Sequence, residues 1–277
     1  MSAANAKQVE YWNGRVGERW ARRHLRIDEN LQQITPRVLE FAGARVGETA
    51  LDVGCGAGTT ALALAEAVAP GGVTAIDISR PMLEVAKARA VEAEADIAFH
   101  LADASDFAFA PSFDLVFSRF GVMFFADPVA AFANLRRALK PGGRLRFVCW
   151  RTVAENRWAS APFEAAKHLL PPQEPSDPFA PGPYAFADAA RVEKILRDAG
   201  FRDVTIAVLD CSFYMGADAD EAAQEALNVG PLAYAARDLG DAARAKARDI
   251  VAAMMGQFAT PAGITPPAAC WLVGAES

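Results

Sequence analysis

The chain has 277 residues, a formal net charge of −6 and 52% hydrophobic residues, which suits one large α/β domain with insertions. The acidic balance argues against a protein that mainly grips nucleic acid, because phosphate contacts need clusters of Lys and Arg. No apolar run approaches the roughly 20 residues that span a bilayer, and residues 1–20 lack the apolar stretch of a signal peptide, so we expect a cytoplasmic protein without a membrane span.

The N-terminal stretch, residues 7–42, is predicted to be helical with a break near Thr35-Pro36. Two tryptophans eight positions apart, Trp12 and Trp20, fall on one side of this helix if it is continuous. They either pack against a sheet or cover a ligand site, and the spacing leaves both interpretations open. Four arginines at helical spacing are interpreted as one solvated face: Arg19, Arg22, Arg23 and Arg26.

Strands and helices alternate between residues 49 and 150. Apolar runs predict strands at 49–53, 73–78, 97–101, 113–118 and 144–150. Capping residues mark helix starts between them, Ser79 before one helix and Asp127-Pro128 before another. This alternation predicts βαβ units and a mostly parallel sheet.

The rhythm breaks after Arg151. Residues 171–183 carry six prolines and are predicted to form an irregular loop. The expected elements beyond it are a helix at 187–199, a strand at 204–215, an Ala-rich helical stretch at 218–258 and a last strand at 268–273. The four cysteines lack the CxxC or Cys/His spacing of a zinc site and are interpreted as free, mostly buried thiols.

A glycine-rich segment ends the first predicted strand, with the sequence Leu51-Asp52-Val53-Gly54-Cys55-Gly56-Ala57-Gly58. Glycines there let the backbone turn tightly and approach a ligand closely. The helix that follows offers its positive N-terminus and free N–H groups. A plain strand–helix turn would explain a lone glycine cluster, but two acids follow this one at informative positions.

Asp77 ends the second predicted strand, 77 − 58 = 19 residues after Gly58. At this separation an acid meets the hydroxyls of an adenosine ribose, although a helix N-cap would also explain it. Asp103 follows the third strand at the carboxyl edge, where open α/β sheets bind ligands. It is suited to accept from the exocyclic amine of adenine, and the alternative is an acid in a surface loop.

A nicotinamide-dependent oxidoreductase is the main rival among nucleotide-binding classes. The dinucleotide fingerprint requires GxGxxG, and its last position counted from Gly54 is Thr59. The loop is instead GxGxG preceded by Asp52, and a charged residue inside a buried strand needs a local task. The missing glycine therefore argues against a dehydrogenase.

Five segments carry a resemblance to a known family: LDVGCGAGT (51–59), AIDIS (75–79), ADA (102–104), FDLVFSRF (113–120) and LKPGGRL (139–145). From about Ala50 to Trp150 the chain resembles class I S-adenosylmethionine-dependent methyltransferases, most closely the small-molecule branch that includes the ubiquinone/menaquinone-biosynthesis type. The resemblance implies a Rossmann-like α/β three-layer sandwich with a mostly parallel seven-stranded sheet. It also implies S-adenosyl-L-methionine as cofactor and S-adenosyl-L-homocysteine as product.

The resemblance also implies roles for single residues. The loop glycines would line the methionine moiety, Asp52 would anchor the loop and the cofactor's charged end, and Asp77 would hold the ribose. Ile78 and Met82 would pack on adenine, Asp103 would take its amine, and the end of the fourth strand would border the methyl group. The full expected cofactor set is Trp20, Asp52, Gly54, Cys55, Gly56, Gly58, Thr59, Asp77, Ile78, Met82, Ala102, Asp103, Ala104, Ser118 and Arg119.

Many members of this family close their site with an N-terminal helix. Two segments of this chain are longer than the corresponding connections of a minimal methyltransferase. We expect residues 1–46 as a helical lid, 47–151 as the cofactor-binding core, 152–186 as an inserted cap segment, 187–215 as a core helix and strand, 216–267 as an inserted helical cap segment and 268–277 as the last core strand. Aromatic and Met residues in the cap favour a small apolar or aromatic acceptor, although they would equally form a satellite core. The expected acceptor contacts are Trp12, Phe120, Met123, Trp150, Tyr234 and Phe258.

The expected reaction is in-line transfer of a methyl group from a sulfonium, which mainly needs alignment and exclusion of water. No catalytic base follows from the sequence; His168 is considered because it lies in the variable region, and a structural role fits it as well. We expect no metal, since residues 118–125 lack the acids and Asn of the catechol type. A cofactor-binding protein without methyl transfer stays an alternative, and the acceptor, the methylated atom and the oligomeric state stay open.

Overall fold

A computed structural model describes residues 5–173 and 177–277 of the chain. Its main strands are β1 Thr49–Val53, β2 Gly72–Asp77, β3 Ile97–Leu101, β4 Phe113–Arg119, β5 Leu139–Trp150 and β6 Arg202–Ser212, then the short β7 Ala259–Thr260 and β8 Gly263–Ile264, and finally β9 Pro267–Glu276. Seven of them form one sheet in the order β3-β2-β1-β4-β5-β9-β6, and β9 runs antiparallel to both of its neighbours. The predicted mostly parallel seven-stranded sheet is confirmed.

The helices are α1 Ala6–Asn13, α2 Arg15–Arg22, α3 His24–Asn30, α4 Thr35–Ala42, α5 Thr59–Val68, α6 Arg80–Glu92, α7 Pro128–Ala138, α8 Arg157–Ala166, α9 Ala189–Asp198, α10 Ala219–Ala226, α11 Gly230–Ala235 and α12 Asp241–Met255. The predicted cap of α7 is confirmed, because the Asp127 side chain accepts from the backbone N–H of Ala130. In the described part of the chain, none of these helices is long and apolar enough to cross a membrane.

Two sequence predictions about helix continuity were wrong. The N-terminal stretch forms four short helices with breaks at Gly14, Arg23 and residues 31–34. The predicted break near Thr35-Pro36 is confirmed at residues 31–34, and α4 begins at Thr35 because proline fits the first turn of a helix. The stretch 218–258 is divided into α10, α11 and α12, and the small β7–β8 hairpin was not predicted.

Two further expectations concern the proline-rich loop and the cysteines. Residues 171–173 and 177–183 form no regular helix or strand, as predicted, and residues 174–176 of that loop lie outside the described residues. All four cysteines are free thiols; three are buried and Cys211 is partly buried. This confirms their interpretation from spacing.

The central strands are buried on both faces and run parallel to one another. Because they are parallel, the loops that follow them lie at one edge of the sheet. The β1 residues from Ala50 to Val53 are all buried, including Asp52. Behind them lie fully buried aromatic side chains such as Phe117, Phe132 and Phe147. Parallel strands end on the same side, so the segments after β1, β2, β3 and β4 meet at the carboxyl edge.

The segments after β5 and β6 pack together rather than separately. Helix α8 contacts α10, α11 and α12, and α10 contacts α12. A Cβ at Gly230, which begins α11, would lie 3.1 Å from the Trp158 ring of α8. The two insertions thus form one helical layer beside the sheet.

We expect a methyl group at Gly121 to destabilise the protein. A Cβ there would lie 2.6 Å from the carbonyl oxygen of Val53 and 2.9 Å from the Cα of Gly54, and neither backbone atom moves easily. Gly121→Ala should lower the free energy of unfolding by about 1–3 kcal/mol, the usual cost of overpacking. Gly256→Ala is the matched control, because its Cβ meets nothing within 4 Å. Equal stabilities of the two variants in urea denaturation would contradict this account of the β1–β4 contact.

Candidate active site

The glycine loop joins β1 to α5 at the carboxyl edge of the sheet. Gly54, Gly56 and Gly58 have φ of 69°, 55° and 86°, a left-handed conformation that side chains disfavour. The Gly54 N–H donates to the Ile76 carbonyl at 2.8 Å, which ties the loop to β2. The free N–H groups at the start of α5 therefore face the edge where ligands of such sheets bind.

Asp52 is a fully buried acid beneath this loop. Its Oδ2 accepts from the Thr60 hydroxyl at 2.7 Å, which anchors β1 to α5, and its Oδ1 has no hydrogen-bond partner among the described residues. Burial raises the pKa of Asp52 to about 7, while the Thr60 hydrogen bond and the positive charge of Arg119 oppose that rise. A buried carboxylate with an unpaired oxygen fits a site that receives a cationic group.

Asp77 is partly buried and holds two backbone segments together. Its Oδ2 accepts from the Gly56 N–H and its Oδ1 from the Ser79 N–H, both at 2.8 Å. The predicted Ser79 side-chain cap is wrong, because the Ser79 hydroxyl donates to the Trp12 carbonyl instead. Burial raises the pKa of Asp77 against these backbone hydrogen bonds. Each carboxylate oxygen keeps a second lone pair, so contact with a ribose stays a prediction.

Asp103 is buried, so the alternative of a surface-loop acid is wrong. Its Oδ1 accepts from the Ser105 N–H at 2.9 Å, and its Oδ2 accepts from the side-chain amide of Asn5 at 2.9 Å. The –NH₂ of a carboxamide is the same kind of donor as the exocyclic amine of adenine. Asn5 thus gives Asp103 the same kind of hydrogen-bond donor that the sequence analysis expected from adenine.

The N-terminal helices are fastened over this edge. The Asn13 amide donates to the Ile78 carbonyl at 2.8 Å, and its oxygen accepts from the Arg80 N–H at 3.0 Å. Trp20 is partly buried against a small cluster of Ala21, Ala57 and Met82. Met82 reaches the glycine loop, since its Cε lies 3.1 Å from where a Cβ on Gly56 would be. Helices α1 and α2 therefore lie directly over the glycine loop and the start of α6.

The end of β4 contacts the loop from the other side. The Ser118 hydroxyl donates to the Val53 carbonyl at 2.7 Å, and Arg119 donates to the Thr35 hydroxyl at 2.7 Å. Burial lowers the pKa of Arg119, and the charge of Asp28 opposes that shift. The Thr59 hydroxyl donates to Asp28 at 2.6 Å. Thr59 and Arg119 thus belong to an ionic network with Asp28 of α3, and their contact with a cofactor stays a prediction.

Four aromatic rings pack together beside the loop as two stacked pairs joined by a tilted contact. Phe120 stacks on Trp150 with ring centroids 4.2 Å apart, and Trp158 stacks on Phe213 at the same distance. The Trp150 and Trp158 centroids are 5.2 Å apart, which joins the two pairs. Phe120 has a φ of 63°, a conformation that is uncommon for a bulky residue and concentrates at functional sites. We call these four residues the aromatic floor.

The other predicted acceptor contacts are scattered. Trp12 packs edge-on against Phe124 and Trp20, each at 5.5 Å. Met123 is buried in the core, Phe258 is partly buried, and the Tyr234 side chain is 61% exposed. Met123 and Tyr234 therefore do not line the aromatic floor.

His168, considered as a base, lies away from the residues described above, and its role stays untested. It is solvent-exposed on the short turn Lys167–Leu169, and no hydrogen bond ties it to the described residues of the site. In the part of the chain that the structure describes, no group of three or more His, Cys, Asp or Glu side chains lies where it would hold a metal ion.

The sequence analysis missed four residues that the structure brings to this edge: Asn5, Asn13, Asp28 and Phe213. Asn5 lies 98 positions from Asp103, and no local pattern marks such a pairing. Phe213 directly follows β6, a strand whose existence the sequence predicted, but its stacking on Trp158 depends on how α8 docks.

Known proteins share this architecture. A family profile described as "Methyltransferase domain" matches residues 50–143. Nocamycin O-methyltransferase of Saccharothrix syringae is 33% identical over 187 residues, covering 64% of this chain and 67% of that relative. A demethylmenaquinone methyltransferase of Staphylococcus aureus is 37% identical over 152 residues, covering 54% of this chain and 62% of that relative. A putative methyltransferase of Bacillus halodurans, 18% identical, superposes with a TM-score of 0.57 over 88% of this chain and 98% of its own.

The chain belongs to the class I S-adenosylmethionine-dependent methyltransferases, in the branch whose relatives are named for small molecules. It is therefore an enzyme that takes S-adenosylmethionine as cofactor. Thr59 already argued against a nicotinamide-dependent oxidoreductase, and membership in the methyltransferase family does not support one. The match to the menaquinone relative spans about three fifths of that relative's length.

Asp52 should make stability depend on pH near neutrality. Its pKa is about 7 in the folded protein and near 3.8 in an unfolded chain, so between these values the folded state binds the extra proton and stability falls as pH rises. From pH 6 to 8 this loss amounts to about 1.4 kcal/mol, and Asp52→Asn should remove it. Urea denaturation of the cofactor-free protein at both pH values measures the difference.

Asp114→Asn is the control for this experiment. The Lys140 ion pair and the Thr49 hydrogen bonds outweigh desolvation and lower the pKa of Asp114 to about 2. Its stabilisation is complete above the unfolded pKa, so the change between pH 6 and 8 should match that of the wild type. An unchanged pH dependence in Asp52→Asn would show that Asp52 is ionised throughout this range.

Proposed function

We propose that this enzyme transfers the methyl group of S-adenosylmethionine to a small apolar or aromatic metabolite bound between the cofactor site and the helical cap. The observation that carries the proposal is the aromatic floor, which adjoins the glycine loop through the Phe120–Gly121 turn. Phe120 is the partly exposed ring, and the buried Trp150, Trp158 and Phe213 support it from the core. An aromatic surface of this kind suits an apolar or aromatic ligand. The names of two relatives, for demethylmenaquinone and nocamycin, support a small-molecule acceptor.

The acids of the carboxyl edge support the placement of the cofactor. Asp77 has lone pairs left for two ribose hydroxyls, and Asp103 is suited to the adenine amine. The unpaired Oδ1 of Asp52 would face the positive amino-acid end. When bound, S-adenosylmethionine supplies an electrophilic methyl group on a sulfonium. The loop glycines allow the close backbone approach that this placement needs.

The N-terminal helices would act as a lid over the adenosine end. Asn5 occupies one acceptor position of the Asp103 Oδ2, where adenine is proposed to donate, so we expect the start of α1 to move on cofactor entry. Once closed, Trp12 and Trp20 would offer aromatic faces near the positive charge and exclude water. Residues 1–4 of the proposed lid lie outside the described part of the chain.

The aromatic floor would hold the acceptor in line with the methyl group. Transfer of this kind gains mainly from alignment, and the partly exposed Phe120 ring, backed by the three buried rings, restricts where a planar acceptor lies. His168 is exposed and His24 bonds to the Ala21 carbonyl, so neither supports the proposal of a histidine base.

The test of the proposed function is to incubate the protein with isotopically labelled S-adenosylmethionine and a metabolite extract, then to identify the labelled product. A methylated small molecule with aromatic or apolar character is expected. Calorimetry should show binding of S-adenosylhomocysteine and none of NAD. Cofactor binding without any labelled product would favour a binding protein, and a labelled nucleic acid or protein would overturn the proposed acceptor class.

Asp77→Ala should weaken cofactor binding. Losing a carboxylate that accepts two hydroxyl hydrogen bonds costs about 2–4 kcal/mol, which corresponds to a few tens-fold or more in affinity. Asp77→Asn should lose less, because its oxygen still accepts one bond. Calorimetry with S-adenosylhomocysteine, with circular dichroism to confirm folding, measures both. An unchanged affinity in a folded Asp77→Ala protein would mean that Asp77 only joins Gly56 to Ser79.

Phe120→Ala should impair methyl transfer much more than cofactor binding. It removes one ring of the aromatic floor, so we expect at least a tenfold loss in kcat/KM for the identified acceptor and less than a twofold change in S-adenosylhomocysteine affinity. Phe179→Ala is the control, because that ring is 50% exposed on a loop and its ring contact among the described residues is with Arg191. Equal losses of transfer and cofactor affinity in Phe120→Ala would place this ring in the cofactor site instead.

A further inference from the structure

Asn5 directly precedes α1, and its side-chain amide is satisfied on one side only. The residue is 4% exposed, and its Nδ2 donates to the Oδ2 of Asp103 at 2.9 Å. Because a carboxylate oxygen only accepts, the nitrogen of the amide is the atom that lies on the Asp103 side. The amide oxygen, Oδ1, is buried and has no hydrogen-bond partner among the described residues.

The Oδ1 of Asn5 also lacks the partner that its position in the chain would offer. Asn at the residue before a helix usually accepts from a backbone N–H of the first turn, but the Asn5 side chain makes no such bond to α1. Buried acceptors without a donor are rare, and each calls for an explanation such as a bound ligand or water. The fold therefore keeps this oxygen for a donor that the chain itself does not supply.

The Asp103 carboxylate is a fixed neighbour of this oxygen, because α7 holds the loop that carries it. The Asn134 amide of α7 donates to the carbonyls of Ala104 and Phe107, both at 2.9 Å. The Phe107 N–H donates to the Asp103 carbonyl at 3.0 Å, and the Asp103 Oδ1 accepts from the Ser105 N–H. Oδ1 of Asp103 is thus used within its own loop, and Oδ2 is left for contacts with other segments.

Two open acceptor positions therefore belong to two side chains that are already in contact. Oδ2 of Asp103 accepts from Asn5 and keeps a second lone pair, and Oδ1 of Asn5 is unpaired. Asp103 is itself only 1% exposed. A nitrogen that carries two N–H donors would satisfy both positions, and the exocyclic amine of adenine is such a group.

Helix α1 connects the two loops where adenosine is proposed to bind. Its start is bonded to Asp103 after β3. Its last residue, Asn13, donates to the Ile78 carbonyl and accepts from the Arg80 N–H, both in the segment after β2. The helix therefore runs from the loop of the proposed ribose acid, Asp77, to the loop of the proposed adenine acid, and Asn5 lies at the adenine end.

We propose that Asn5 is a specificity-determining residue of the cofactor site, whose Oδ1 accepts one hydrogen of the adenine amine while Asp103 accepts the other. This rests on the proposed function, of which it specifies how the base is selected. The start of α1 opens on cofactor entry and closes again with the Asn5 oxygen on the amine. A base with a 6-oxo group in place of the amine would set an acceptor against two acceptors and would be rejected.

The experiment compares S-adenosylhomocysteine with S-inosylhomocysteine, its 6-oxo analogue, by direct and displacement calorimetry on the full chain. The wild type should prefer the adenosyl ligand at least tenfold. Asn5→Ala should lower adenosyl affinity at least fivefold and keep inosyl affinity within twofold, because it removes an acceptor that only the amine can use. Circular dichroism confirms that the variant is folded. A residue that merely fixes α1 would change both affinities by the same factor and leave the preference intact.

Asn13→Ala is the matched control, because Asn13 lies on the same helix and its side chain bonds to main-chain groups. It should weaken both ligands by equal factors. Equal factors in Asn5→Ala would overturn the proposal. An unchanged or tighter adenosyl affinity in Asn5→Ala would overturn it too, because Asn5 would then only occupy the position of the base.

Asp103→Ala separates this inference from the proposed function. If Asp103→Ala loses the preference for the amine and Asn5→Ala keeps it, only the role of Asn5 is overturned. If Asp103→Ala retains the full preference, the proposed placement of adenine is contradicted as well. Absence of S-adenosylhomocysteine binding in the wild type would contradict the proposed function itself, whatever the variants do.

Discussion

The carboxylate of Asp77 joins the glycine loop to the start of α6 through two hydrogen bonds of 2.8 Å, from the N–H groups of Gly56 and Ser79. The loop has left-handed glycines and would otherwise have few fixed points. Because the Ser79 hydroxyl in turn bonds to the Trp12 carbonyl, the position of the lid also depends on this joint. Asp77 thus fixes the positions of the glycine loop and the start of α6 and, through Ser79, of the N-terminal helices.

Three acids lie at the carboxyl edge, and none of them has an ion pair among the described residues. Asp52 has one oxygen without a partner, Asp77 accepts from two backbone N–H groups, and Asp103 accepts from the Asn5 amide and the Ser105 N–H. Burial raises the pKa of Asp52 and of Asp77, and the negative charge of Asp77 adds to the shift of Asp52. An edge built this way is stabilised by a ligand that brings positive charge and hydrogen-bond donors.

The lid is connected to the rest of the molecule by charge as well as by packing. Asp28 of α3 accepts from Thr59 at the start of α5 and pairs with Arg89 at 3.2 Å. Two arginines of the same region, Arg23 and Arg26, approach Glu225 in the cap. The N-terminal helices therefore contact both the start of α5 and helix α10. The interpretation of the arginine cluster as one solvated face was wrong for Arg23 and Arg26, whose side chains are only 23% exposed.

The sequence by itself determined the elements that obey local rules. The period of apolar residues predicted the strands around β1 to β5, the glycines and the acid spacing located Asp52, Asp77 and Asp103, and the Asp127 cap marked α7. These features depend on residues within a few positions or at a fixed separation across one βαβ unit. The class of enzyme follows from the same local patterns.

Only the tertiary structure decided which distant side chains meet. Asn5 reaches Asp103 across 98 positions, the aromatic floor joins four separate segments, and His168, considered as a base, lies in solvent. The breaks that divide the N-terminal stretch at Gly14 and Arg23 let α2 and α3 turn against α6 and the cap, where propensity alone allowed a longer helix. Docking of helices carries no periodic signal along the chain, because it depends on the shape and charge of surfaces that form only after the elements have folded.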